Sequence, residues 1–171
     1  YTISKEITNQ TTCVEISKTD ITGDKELQGA KLAVIDENNN VIDSWTTNEN
    51  THKIEGLEEG KTYTLKEEIA PDGFVKATDV KFTIQNNGEI QKVTIIDKIV
   101  TMSKTDIGGK EIEGAKIQVL DKDNKVVDEW TSGKEEHIIK NLVENQTYTL
   151  HEEVSIGGYV KATDITFNVT N

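Results

Sequence analysis

The sequence predicts an all-β protein made of two tandem β-sandwiches, and three observations carry that prediction. A block of about 85 residues occurs twice in the 171-residue chain. From Cys13 onward, Val, Ile, Thr and aromatic residues alternate with charged ones between Gly, Asn and Asp clusters, and no stretch of useful length has a 3.6-residue apolar period. The third is Tyr63-Thr-Leu-Lys-Glu67, which returns as Tyr148-Thr-Leu-His-Glu152. Strand alternation sets Tyr63, Leu65 and Glu67 on one face, and Tyr148, Leu150 and Glu152 likewise. A carboxylate is thereby aimed into each core. An unpaired buried charge is costly, so each Glu needs a partner or a task.

Taken in order, residues 1–12 read as the last strand of a preceding or neighbouring domain plus its connection, with Tyr1, Ile3, Ile7 and Asn9 sharing a face. Residues 13–98 read as a seven-stranded sandwich. Val14, Ile16 and Lys18 share the inner face of its first strand, and Ala30, Leu32 and Val34 that of the second. Asp36-Glu-Asn-Asn-Asn40 is turn chemistry leading to a strand with Trp45. A short strand near Lys53, the Tyr63 strand, a strand with Val80, Phe82 and Ile84, a turn at Asn86-Asn-Gly88 and a last strand through Val93, Ile95 and Asp97 complete it. Residues 99–171 repeat the plan, with Val100, Met102 and Lys104 for Val14, Ile16 and Lys18. They stop at the counterpart of Asn86, so the second sandwich lacks its last strand. Asp97 and Lys104 are seven steps apart along the chain with no Gly or Pro between them, which predicts domains strung end to end with limited freedom.

Apolar residues make up 34% of the chain and aromatics 5%, so each core is thin and is expected to lean on Trp45, Phe82, Trp130 and Phe167. Cores of that size often need a staple. Cys13 is the only cysteine, so an intrachain disulfide cannot be that staple, and Cys13 itself reads as a surface residue at a strand start. A formal charge of -12, with every basic residue a Lys, argues against nucleic acid and against anionic membranes as partners. No apolar run reaches the length needed for membrane insertion. No signal peptide, sorting signal or anchor is visible, which for a secreted protein makes this chain an excerpt.

Lys18, Glu67 and Asp97 are expected to point into one core from the first, fifth and last strands. An amine and two carboxyls so placed could form a buried ion pair with an extra carboxylate, a weak source of stability. They could also form an amide between Lys18 and Asp97, with Glu67 carrying the proton. In water near pH 7 a neutral amine and a neutral acid coexist in roughly one pair in a few million. Burial favours the neutral form of both, and well-oriented groups reach effective molarities of about 10⁵ to 10⁸ M. Periodicity alone leaves both readings open.

Four separated motifs bring a resemblance into view: Val14-Glu-Ile-Ser-Lys18-Thr-Asp20, Lys25-Glu-Leu-Gln-Gly29-Ala, Thr62-Tyr-Thr-Leu-Lys-Glu67-Glu-Ile-Ala-Pro-Asp-Gly-Phe74 and Val93-Thr-Ile-Ile-Asp97. In this order they resemble the Cna protein B-type domains of Gram-positive surface proteins and pilins, the SpyCatcher-type members included. The similarity spans nearly all of residues 10–171, and three of the motifs occur twice. It implies a prealbumin-like, inverse immunoglobulin-type sandwich and a self-formed isopeptide bond from Lys to Asp or Asn. Carried over, Lys18 is the nucleophile, Asp97 the acceptor and Glu67 the catalyst. Lys104 and Glu152 match in the second copy, where the acceptor strand is absent and Ala-Pro-Asp-Gly has become Ser155-Ile-Gly-Gly158. Asn9 falls where Asp97 falls in the complete copy. A strand like residues 1–9 of a neighbouring molecule is thus a candidate to complete the second sandwich and bond to Lys104; the equal alternative is that the preceding domain and the last strand are lost to truncation or disorder.

The resemblance further implies an extracellular, cell-surface or wall-attached protein: a structural stalk or fibre-shaft module of an adhesin or pilus, partnered by neighbouring domains or copies of itself. The alternative class is an adhesive module that binds a host or matrix protein, which would need an exposed apolar or aromatic patch. A turnover enzyme is not expected, because the isopeptide reaction occurs once per molecule. Nor is a metal or cofactor: Asp121-Lys-Asp-Asn124 lacks the later Gly and Glu of a calcium loop, and His52, His137 and His151 lack zinc spacing.

Overall fold

Alternation along the first repeat resolves into seven strands: β1 (Cys13–Asp20), β2 (Lys31–Ile35), β3 (Val41–Thr46), β4 (His52–Glu55), β5 (Thr62–Ile69), β6 (Val80–Thr83) and β7 (Gln91–Asp97). The second repeat contributes β8 (Thr101–Met102), β9 (Lys116–Leu120), β10 (Val126–Thr131), β11 (His137–Ile138), β12 (Thr147–Val154) and β13 (Ile165–Asn168). This computed structural model describes residues 2–7 and 9–170, so the places expected for Tyr1 and Asn171 fall outside it. Among the described residues there is no helix, and hence none long and apolar enough to cross a membrane.

In the first domain a sheet ordered β4-β1-β7 faces a sheet ordered β3-β2-β5-β6. β1 runs antiparallel to β4 and parallel to β7, in a register that sets Ile16 beside Val93, Lys18 beside Ile95 and Asp20 beside Asp97. The inward stripes meet as one core that includes Val14, Ile16, Leu32, Val34, Tyr63, Leu65, Phe82, Val93 and Ile95. The second domain repeats the four-stranded sheet as β10-β9-β12-β13. Its other sheet is β11-β8 alone. Among the described residues no strand lies beside β8 where β7 lies beside β1.

Two features refine the expectations. Trp45 and Trp130 are not at the centre of the cores; each is partly buried and packs against its cluster from an edge strand. Each indole instead stacks on a histidine, His52 or His137, with centroids 3.9 Å apart in both copies. Those imidazoles bond to Asp43 (2.7 Å) and Asp128 (2.8 Å), so each pair clips the edge of one sheet to the other. The second is at the start of the chain. Residues 2–7 and Asn9 form no strand within this chain, and Ile3 and Ile7 lie exposed.

A local irregularity prepares the site. β5 bulges at Glu68, so that Leu32 faces Glu67 while Lys31 faces Ile69. β12 does the same at Glu153, with Ile117 facing Glu152 and Lys116 facing Val154. A bulge ends regular pairing and bends the strand. The chain then turns through Gly73 (φ 83°) or Gly158 (φ 89°), a left-handed conformation that glycine adopts without strain, and comes back toward the glutamate.

Candidate functional site

Lys18 and Asp97 come from neighbouring strands of one sheet, and Glu67 reaches them from the sheet opposite. All three are 1% exposed. The Lys18 ammonium donates a hydrogen bond to Asp97 Oδ1, and its Nζ stands 3.0 Å from Glu67 Oε1. Glu67 is held in place by its other oxygen, Oε2, which accepts the Ala77 N–H at 2.7 Å. That donor is delivered by the turn through Gly73. Burial pushes the Asp97 carboxyl up to about 7; the Lys18 hydrogen bond and charge pull it back, and the charge of Glu67 adds to the rise. Asp97 Oδ2 is buried without a hydrogen-bond partner. An amine thus sits between a carboxyl that burial inclines to hold a proton and a second carboxyl able to pass one on.

The second domain has the same parts in looser form. Lys104 Nζ lies 3.6 Å from Glu152 Oε1, and Glu152 Oε2 accepts the Ala162 N–H as Glu67 accepts that of Ala77. The Lys104 side chain is 15% exposed. It borders a cleft of about 210 Å³ lined by Met102, Lys104, Ile117, Leu150, Glu152 and Ile165. Asn9 is exposed at the far end of the chain, and no hydrogen bond joins it to Lys104.

Two sandwiches with an inward Lys and Glu at matching places can be set against known domains. The family described as SpaA, prealbumin-like fold domain, matches residues 12–99 and again residues 98–171. The chain belongs to this family. Among solved structures these SpaA-type domains are similar to the Bacillus anthracis TIE protein, with 24% identity over 94% of this chain and 32% of that one and a TM-score of 0.46. They are similar to a streptococcal ancillary pilin, with 18% identity over 92% of this chain and 58% of that one and a TM-score of 0.47. The shaft pilin SpaA from Lactobacillus rhamnosus GG shows 17% identity over 96% of this chain and 94% of that one, with a TM-score of 0.42. The chain spans less than two thirds of the length of the first two. No curated protein matches it.

The SpaA-type domains meet at a joint that strand periodicity did not reveal. The Lys76 N–H donates to the Leu142 carbonyl and the Glu144 N–H to the Lys76 carbonyl, both at 2.9 Å, so Lys76 and Val143 form a parallel bridge between domains. Val75, 2% exposed, joins the core of the second domain with Ile139, Leu142, Tyr148 and Val169. Glu144 is buried, accepts the Thr78 N–H (2.8 Å) and hydroxyl (2.9 Å), and pairs with Lys98 at 2.9 Å. Burial alone would raise the Glu144 carboxyl, but the Thr78 N–H, the Lys98 ammonium and the Thr78 hydroxyl together outweigh it and hold it below the usual glutamate range. An outer pair, Lys140 to Asp72 at 3.3 Å, flanks the joint. The sequence signal that could have found it is Val-Lys-Ala-Thr, present at 75–78 and again at 160–163.

Proposed function

We propose that this chain is a shaft or stalk module of a fibre on a bacterial cell surface, locked by isopeptide bonds of the Cna protein B type. The reading rests on one observation: Lys18, Glu67 and Asp97 meet in a core that excludes water, with Nζ in hydrogen-bond reach of the Asp97 carboxyl. Lys18 passes a proton to Asp97, and its freed lone pair attacks the Asp97 carboxyl carbon. Glu67 takes a second proton from the nitrogen of the tetrahedral intermediate and delivers it to the departing hydroxyl. A C–N bond forms, a C–O bond breaks and one water leaves. The bond closes a loop of 79 residues; by analogy with disulfide loops it stabilises the domain by about 4 to 5 kcal/mol. It also ties the first strand to the last, so tension between the domain's two ends bypasses the hydrogen-bond ladder. Intact mass spectrometry tests this: the chain should be lighter by one water and should recover its full mass in Glu67→Gln. An unmodified mass in a well-folded sample would remove the proposal.

In the second domain the cleft beside Lys104 favours completion by another copy. Laid along β8 as β7 lies along β1, residues 3–9 would put Ile7 where Ile95 sits and Asn9 where Asp97 sits, although Lys5 then takes the place of Val93. Amide formation from Lys104 to Asn9 would release ammonia. Covalent multimers on a denaturing gel that collapse in Asn9→Ala support this; a monomer band from assembled material rules it out.

A further inference from the structure

Val75-Lys-Ala-Thr78 and Val160-Lys-Ala-Thr163 are the same four residues at the same place in the two domains. In both, the inward glutamate holds the Ala N–H, so the strings are presented alike. The first is docked on the second domain through the Val75 side chain, the Lys76 backbone and the Thr78 hydroxyl and N–H. The second is bare: Val160 is 93% exposed, and Lys161, Ala162 and Thr163 are exposed with it.

The receiving side is duplicated too. Leu142-Val143-Glu144 lies between Asn141 (φ 60°) and Asn145 (φ 62°), with the Val143 N–H donating to the Tyr148 hydroxyl. Leu57-Glu58-Glu59 lies between Gly56 and Gly60, both at φ 77°, with the Glu58 N–H donating to the Tyr63 hydroxyl. The two turns therefore share a backbone shape. The Leu57 carbonyl already accepts the Thr12 hydroxyl, which leaves it a second lone pair. Glu59, the counterpart of Glu144, is exposed and accepts a hydrogen bond from Asn86 at 3.0 Å.

We propose that the Val160–Thr163 string docks on the Leu57–Glu59 turn of a second copy of this chain, reproducing between molecules the joint inside each one. Thr163 meets Glu59 as Thr78 meets Glu144. Charge favours the match, because Lys161 faces Glu58 where Lys76 faces Val143. Glu58 must share its present partner, Lys61, at 2.7 Å. The outer ion pair is not reproduced, since Gly157 and Glu55 stand in for Asp72 and Lys140. The contact needs no covalent bond between copies and so stands apart from the reaction of Asn9 with Lys104.

Carbodiimide coupling, which joins an amine to a carboxylate in contact with it, tests this on the full chain at high concentration. Isotopically light and heavy copies are mixed so that peptide mass spectrometry recognises links between molecules. Lys161 should be found joined to Glu58 or Glu59 of another copy, with a yield that falls about tenfold in Val160→Asp, the loss expected for removing an anchor. Val160 is exposed enough for that change to leave the fold intact. The yield should be unaltered in Asn9→Ala, which removes the covalent bond only. Coupling of Lys161 to scattered carboxylates, a yield indifferent to Val160→Asp, or a link that vanishes in Asn9→Ala would overturn the proposal.

Discussion

The two domains carry the same lysine and the same glutamate in different surroundings. In the first, β7 covers the sheet edge, Lys18 is sealed and its ammonium lies against Glu67 and Asp97. In the second, the edge of β8 is open, Lys104 is partly wetted and its distance to Glu152 has grown from 3.0 Å to 3.6 Å. The glutamate is equally well anchored in both, by Ala77 or by Ala162. For the proposed reaction, the difference gives the last strand two jobs: it would bring the acceptor, and it would remove the water that keeps an amine charged and an acid ionised.

The largest effect should come from making the first domain like the second. Glu67→Gln, which keeps an oxygen for the Ala77 N–H, should lower the melting temperature of that domain on the order of 20–30 °C by calorimetry, if about 4 to 5 kcal/mol of cross-link is lost. In contrast, Asp97→Asn should end at the same mass as the native chain, because one route sheds ammonia and the other water. The converse change comes next in size. Extending the chain beyond Asn171 with a copy of residues 87–98 should bury Lys104, remove a second water and raise the melting temperature of the second domain. A rise without mass loss would separate the covering role of the strand from its chemical one.

The smallest effect belongs to the joint. Glu144 has a lowered pKa in the folded chain, so its contribution is complete above the ordinary glutamate value of 4.5 and fades as pH falls through the lowered value. Glu144→Gln should weaken the joint by about 1–2 kcal/mol at neutral pH. Solution scattering should then show a broader spread of interdomain distances, which the native chain should show only in acid. Equal spreads for both proteins at pH 7 would mean that Val75 and the backbone bridge hold the domains without the carboxylate.

Much of this was legible in the sequence, for a physical reason. Period-two alternation puts Lys18 on the face of Val14 and Ile16, Glu67 on that of Tyr63 and Leu65, and Asp97 on that of Val93 and Ile95, so their convergence follows from strand geometry. Residues 2–7 carry an alternating stripe yet form no strand in the single chain, because such a stripe becomes a strand only when an edge lies beside it to pair with. Period-two alternation did not show that the tryptophans pack on the cores from edge strands, since size does not show which strand lies at a margin. It was silent on Glu144, Thr78 and Lys98, which lie outside the regular strands, where side-chain direction follows no period.

β1 and β7 are parallel, and this sets the direction of the whole chain. A domain whose first and last strands ran oppositely would return its chain to the end it entered by, and successive domains would hang side by side. Here the chain leaves at the far end, still heading the same way, after advancing about 23 Å along seven strand residues. Every added domain therefore repeats the same step with the same sense. Such a string has a sense, so its two tips are unlike and growth and wear there are different chemical events.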